Sequence, residues 1–159
     1  MKKKNFIWTL LLSIFCISAF TSCVSKSSDE SNETYETRQS LILYKWETAR
    51  VKLSDGTWNE FPMTVGRYCK INFHDRTDGK ADNESKFEIT QQISTDGKQT
   101  ESKEYQGTYT VDGKYVEALV DGKPHFRLNI KEIKSGTLSG TITFVNENLT
   151  FEVEMQTTY

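Results

Sequence analysis

Tyr105-Gln106-Gly107-Thr108-Tyr109-Thr110-Val111-Asp112-Gly113 is the stretch on which the fold turns. Its apolar residues Tyr105, Tyr109 and Val111 share one phase of a two-residue repeat, with Gly107 at the remaining position, the spacing of a strand with one dry and one wet face, and the run stops at Asp-Gly. Asp and Gly tolerate the positive φ of tight hairpin turns, so an alternating run ending there predicts an antiparallel neighbour. The pattern repeats outward in both directions. Upstream, Cys69, Ile71 and Phe73 alternate with Lys70 and Asn72, and Phe87, Ile89 and Ile93 alternate with Glu88, Thr90 and Gln92. Downstream come Phe126, Leu128 and Ile130, then Leu138, Ile142 and Phe144, then Leu149, Phe151, Val153 and Met155.

Further turn signals stand at Asp55-Gly56, Asp78-Gly79, Asp96-Gly97, Asp121-Gly122, Ser135-Gly136 and Asn146-Glu147-Asn148. No window longer than ten residues keeps a helical period. The reading is an all-β domain over residues 40–159, an antiparallel up-and-down meander of about eight to ten strands. Tyr44, Trp46 and Thr48 share one phase while Val51 and Leu53 share the other, which predicts a bulge near Ala49-Arg50. A meander of this length hides its edges by closing into a barrel. About 120 residues with two prolines and no low-complexity insert suit one domain with one core.

The N-terminal segment reads differently. Lys2, Lys3 and Lys4 precede an apolar run from Phe6 to Ile17 and then small residues, the layout of a secretory signal over residues 1–22. The run is shorter than the roughly 20 residues a membrane-spanning helix needs. Phe20-Thr21-Ser22-Cys23 resembles the lipobox of bacterial lipoproteins, which implies a diacylglyceryl thioether on Cys23 and acylation of its freed amine. Two or more acyl chains suffice for stable membrane anchoring. Residues 23–39 are polar and acidic and read as a flexible tether after the lipidated cysteine. A short acidic cluster at that place resembles the sorting signal of surface-exposed outer-membrane lipoproteins.

Three of the 20 basic residues lie in residues 1–22, which leaves 17 against 22 acidic residues and a net charge of −5. That balance argues against nucleic acid, whose binding needs a basic patch to displace counterions. Cys16 leaves with the signal and Cys23 carries lipid, so Cys69 has no intramolecular disulfide partner. Between Tyr68 and Ile71 it reads as a buried, inert thiol.

Leu41-Ile42-Leu43-Tyr44-Lys45-Trp46, Asp55-Gly56-Thr57-Trp58, Ile71-Asn72-Phe73 and the stretch from Tyr105 to Gly113 resemble lipocalin-like domains of small Bacteroidetes lipoproteins. The resemblance spans nearly all of residues 41–159 through short motifs. It implies a barrel with Trp46 as a structural plug at one end, and an interior or mouth that holds a small hydrophobic molecule. The glycine that usually stands two residues before this tryptophan is Tyr44 here.

Signatures of catalysis are not found in the sequence. Gly107 to Lys114 lacks the spacing and the Ser or Thr of a phosphate loop, and no Gly-x-Ser-x-Gly elbow occurs. His74 and His125 are fifty residues apart, without zinc-ligand spacing, and the acidic loop from Asp75 to Glu84 fails the EF-hand register. Glu88, Glu117 and Glu152 are the carboxylates whose convergence in space would reopen an enzyme reading. The expectation is therefore a non-enzymatic, monomeric lipoprotein without metal or cofactor, bound to the outer membrane through Cys23. Trp58, Phe61 and Tyr68 fall outside the inward phase and are its candidate ligand-binding residues, at a barrel mouth or on an exposed patch. A module whose outer surface docks an envelope protein or glycan is the alternative.

Overall fold

The computed structural model describes residues 30–60, 66–74, 85–95 and 98–158. The strands are β1 (Lys45–Lys52), β2 (Trp58–Glu60), β3 (Gly66–His74), β4 (Ser85–Thr95), β5 (Lys98–Asp112), β6 (Tyr115–Val120), β7 (Lys123–Lys134), β8 (Thr137–Phe144) and β9 (Leu149–Thr158). One helix, α1 (Asn32–Ile42), precedes them, and a 3-10 turn (Val145–Glu147) joins β8 to β9. Each of β3 to β8 pairs antiparallel with the next, and β1 pairs with both β3 and β9, so eight strands close into a lipocalin-like barrel. β2 is a ninth strand that pairs only with the far half of β1, from Arg50 to Lys52. Closure pairs most strands on both sides, while the part of β5 from Lys98 to Gly107 runs on beyond its last pair with β6 and keeps β4 as its ladder partner.

The turns follow the expected chemistry where they are described. Asp121 (φ 51°) with Gly122 (φ 72°) and Ser135 (φ 50°) with Gly136 (φ 77°) make two-residue hairpins whose positive φ at both positions matches the twist of the flanking strands. Asp78-Gly79 and Asp96-Gly97 lie outside the described residues. The irregularity expected in the first strand is present: Thr48 pairs with Met155 and Arg50 with Glu154, leaving Ala49 as the extra residue. The ladder between β1 and β3 ends there, at Glu47 opposite Lys70. Thr48 extends it with its side chain, since Oγ1 accepts from the Cys69 amide (3.0 Å) and donates to the Cys69 carbonyl (3.2 Å). Thus the bulge frees β1 to pair with β2 without stranding the Cys69 backbone.

Inward residues of the eight strands form one core. Phe73 meets Tyr109 edge to face at 5.0 Å, and Phe87 meets Phe126 the same way at 5.2 Å. Trp46, Ile71, Leu128, Leu138 and Met155 are fully buried around them. An eight-stranded barrel is just wide enough for such side chains to fill, and each buried aromatic or aliphatic side chain contributes about 1.5–3 kcal/mol. Cys69 is a free, buried thiol within that core.

The sequence reading put residues 23–39 in a tether and started the domain at residue 40. In the structure, residues 32–39 belong instead to α1, which lies against the barrel end formed by the start of β1 and the β5–β6 turn. Ser31 caps the helix by accepting from the Thr34 amide at 3.1 Å. Its buried face is Thr34, Thr37 and Leu41, spaced as one helical side. Two of those three are threonines, so the face has no apolar signature in the sequence. The Thr34 hydroxyl accepts from the Gly113 amide (2.7 Å), which joins α1 to the β5–β6 turn. Arg38 pairs with Glu30 at 2.8 Å. Cylinder, helical cover and core are thus all built from residues 30–158. Residues 1–22 and Cys23 lie outside the described residues.

Candidate binding site at the barrel end away from α1

The two ends of the barrel are built from different materials. At the α1 end, Trp46 is fully buried and its indole N–H donates to the Leu41 carbonyl at 3.0 Å, so the plug residue expected from sequence is bonded to the covering helix. Tyr44 stands edge-on to it at 5.9 Å. Cross-strand register then defines layers moving away from this end. Trp46, Ile71, Ile89 and Tyr105 lie opposite one another in sequence across β1, β3, β4 and β5. The next layer is Thr48, Cys69, Gln91 and Lys103. Apolar filling gives way to polar side chains within one step of the pleat.

Gln91 occupies the inward phase of β4 between Ile89 and Ile93, is 3% exposed, and its amide nitrogen has no acceptor among the described protein atoms. Beside it the wall changes. β6 stops at Val120, its last ladder pair with β5 being Leu119 opposite Thr108, whereas β5 continues back to Lys98. Gly107 permits the close crossing at this point, because a Cβ there would overlap the Leu119 carbonyl and reach 2.8 Å from the Phe87 ring. Tyr105 therefore reaches past the end of β6 to β7, where its ring lies 4.3 Å from that of His125 at a tilt of 48°.

His125 is there because of a bulge. Ala118 pairs with Phe126 and Leu119 with Pro124, which makes His125 the extra residue and leaves both His125 and Phe126 buried. Bulges commonly re-aim a side chain in this way. At the rim, the Lys103 ammonium pairs with Glu101 at 2.8 Å. The hydrogen bond to Glu101 and then its charge raise the Lys103 pKa against an opposing desolvation, with lesser contributions from Tyr105 and Glu147. Glu147 belongs to the 3-10 turn, so β5 and the β8–β9 connection share this rim. The assembly offers a buried amide donor, a pair of aromatic rings and a rim carrying both charges.

Trp58 and Tyr68 are elsewhere. Trp58 is 36% exposed on the outer wall, with the Arg50 guanidinium 4.6 Å and the Lys52 ammonium 5.9 Å from its ring centroid. Arg50 forks onto Glu154 (2.7 and 2.8 Å), and Lys52 reaches Glu152 (3.0 Å). Tyr68 also points outward, and its phenol donates to Glu47 (3.0 Å), which in turn accepts from Gln156 (3.2 Å). Burial, then the bond to Glu47, push the Tyr68 phenol far above its ordinary pKa of 10.0. Both residues flank the outer side of β1 and neither lines the barrel end; Phe61 lies outside the described residues. Glu88, Glu117 and Glu152 do not converge either. They stand on β4, β6 and β9, next to His74, Arg127 and Lys52 respectively. The acidic loop of residues 75–84 falls outside the described residues.

Sequence reasoning missed Gln91 and His125. Gln91 was legible as a polar residue in the inward phase of an otherwise apolar strand. The signal for His125 was fainter, a side chain out of step with Phe126, Leu128 and Ile130. A scan against protein-family models, a search of curated proteins and a search of solved structures each return no match to this chain.

Proposed function

We propose that this chain is a lipid-anchored envelope protein, exported by residues 1–22 and lipidated at Cys23, whose lipocalin-like barrel binds a small, largely apolar molecule at the end away from α1. The carrying observation is the asymmetry of the barrel. One end is closed by α1 and Trp46, while the other places the Gln91 amide, Tyr105 and His125 beneath a charged rim. Ligand sites are mostly apolar hollows with a few converging polar groups, and barrel mouths are among their usual locations. Because aromatic side chains fill the half next to α1, the ligand sits shallowly. In this reading the protein is a monomer, acts without metal, cofactor or catalysis, and avoids nucleic acid by virtue of its acidic balance.

Two measurements test the two halves of the proposal. Feeding cells an alkyne-tagged palmitate should label the full-length chain and leave Cys23→Ser unlabelled; equal labelling of both would remove the anchor. Native mass spectrometry of residues 24–159, exported behind a non-lipidated signal in the organism itself and purified from its envelope, with an organic extract of the same sample, should show an added mass that denaturation releases. Bare protein with an empty extract would favour the second reading, a non-enzymatic module that docks an envelope protein or glycan. The observation behind that reading is the exposed Trp58 face between Arg50 and Lys52 on the outer wall.

A further inference from the structure

The same end of the barrel carries information about what it would accept. Gln91 is buried opposite Cys69, with a donor that meets no acceptor among the described residues. Leaving such a donor unmade is costly, so a ligand that brings an oxygen to it gains more there than at an exposed site. The rim then limits the charge of that ligand. Among the described residues of the rim, the Lys103 ammonium is already paired with the Glu101 carboxylate at 2.8 Å. A carboxylate ligand would find that cation already neutralised and would be left without a counter-ion beside Gln91, a large penalty for a buried charge. Tyr105 and His125, with rings 4.3 Å apart, provide flat, apolar contact next to the donor.

We propose that the site takes an uncharged carbonyl compound with a flat, apolar body, such as an aryl ketone, ester or amide, whose oxygen accepts from the Gln91 amide while its planar part lies against Tyr105 and His125. The proposal rests on the reading that this end of the barrel binds ligand at all, and the test separates the two. Three probes that share one ring system suffice: 2-acetylnaphthalene, 2-ethylnaphthalene and 2-naphthoate, each titrated into 15N-labelled residues 24–159. The ketone should bind about tenfold tighter than either of the others, and it alone should shift the Gln91 side-chain amide signals. In Gln91→Leu the ketone should fall to the affinity of the ethyl compound, whose own affinity stays unchanged; Gln91→Met serves the same comparison should the leucine variant fail to fold. Equal affinities for ketone and ethyl compound, or tightest binding of the naphthoate, with signals of Tyr105 and His125 still perturbed, would overturn the carbonyl proposal and leave the binding site standing. No perturbation at Gln91, Tyr105 or His125 by any probe would overturn both.

Discussion

Single residues decide where this barrel bends and where it opens. Gly107 is the clearest case, because the backbone of Leu119 and the ring of Phe87 occupy the space of any side chain at that position. Backbone cannot retreat as a side-chain tip can. Gly107→Ala is therefore expected to cost about 3 kcal/mol, measured as a lowered urea midpoint with an unchanged slope. On the outer wall, the Arg50 fork holds the Glu154 carboxyl below its ordinary pKa of 4.5, chiefly through its hydrogen bonds, which outweigh an opposing desolvation, with the charge of Arg50 adding to them. A carboxylate with a depressed folded pKa stabilises the fold above its unfolded pKa and loses that contribution as pH falls through the folded one. Glu154→Gln should thus be less stable than the parent at pH 7, with the gap closing below about pH 5. A gap independent of pH would mean that the side chain stabilises by packing alone.

At the scale of elements, strands were far more legible than the helix. Alternation in residues 69–73, 87–93 and 105–111 marks β3, β4 and β5 because each has one dry face, and the phase change after Thr48 marks the bulge at Ala49. The helix α1 escaped because Thr34 and Thr37 form two thirds of its buried face, and Thr34 contributes a hydrogen bond to another element rather than hydrophobicity. Only tertiary context reveals that face. The bulge at His125 was fainter for a related reason, since it lies in the pairing of β6 with β7, where Leu119 faces Pro124 and Ala118 faces Phe126. Tyr68 was read correctly as outside the inward phase; what the sequence lacked was Glu47, twenty-one positions away, as the partner that holds it on the outer wall. If α1 is a fixed cover, Thr34→Val should loosen it by about 1 kcal/mol, the net worth of the bond to Gly113. Hydrogen exchange would then accelerate over residues 32–42 and at Gly113 while protection in β7 and β8 stays as it was. Uniformly faster exchange would instead make the helix part of the global folding unit.

For the molecule as a whole, closure between β1 and β9 turns a meander into a container with two unlike ends. Trp46 ties the helical cover to one of them. Placed after a lipidated Cys23, the domain would stand at the membrane surface with the chain entering beside its covered end, which directs the end bearing Gln91, Tyr105 and His125 away from the anchor. The most direct test of this account is to map where a native ligand sits. Residues 24–159, labelled with 15N, would be titrated with the lipid extract of the organism's own envelope while amide and side-chain signals are followed. The account predicts saturable shifts concentrated at Gln91, Lys103, Tyr105 and His125, with Trp46 and α1 unmoved. Shifts centred on Trp58 and the outer side of β1, or at Gly113 and α1, would contradict it.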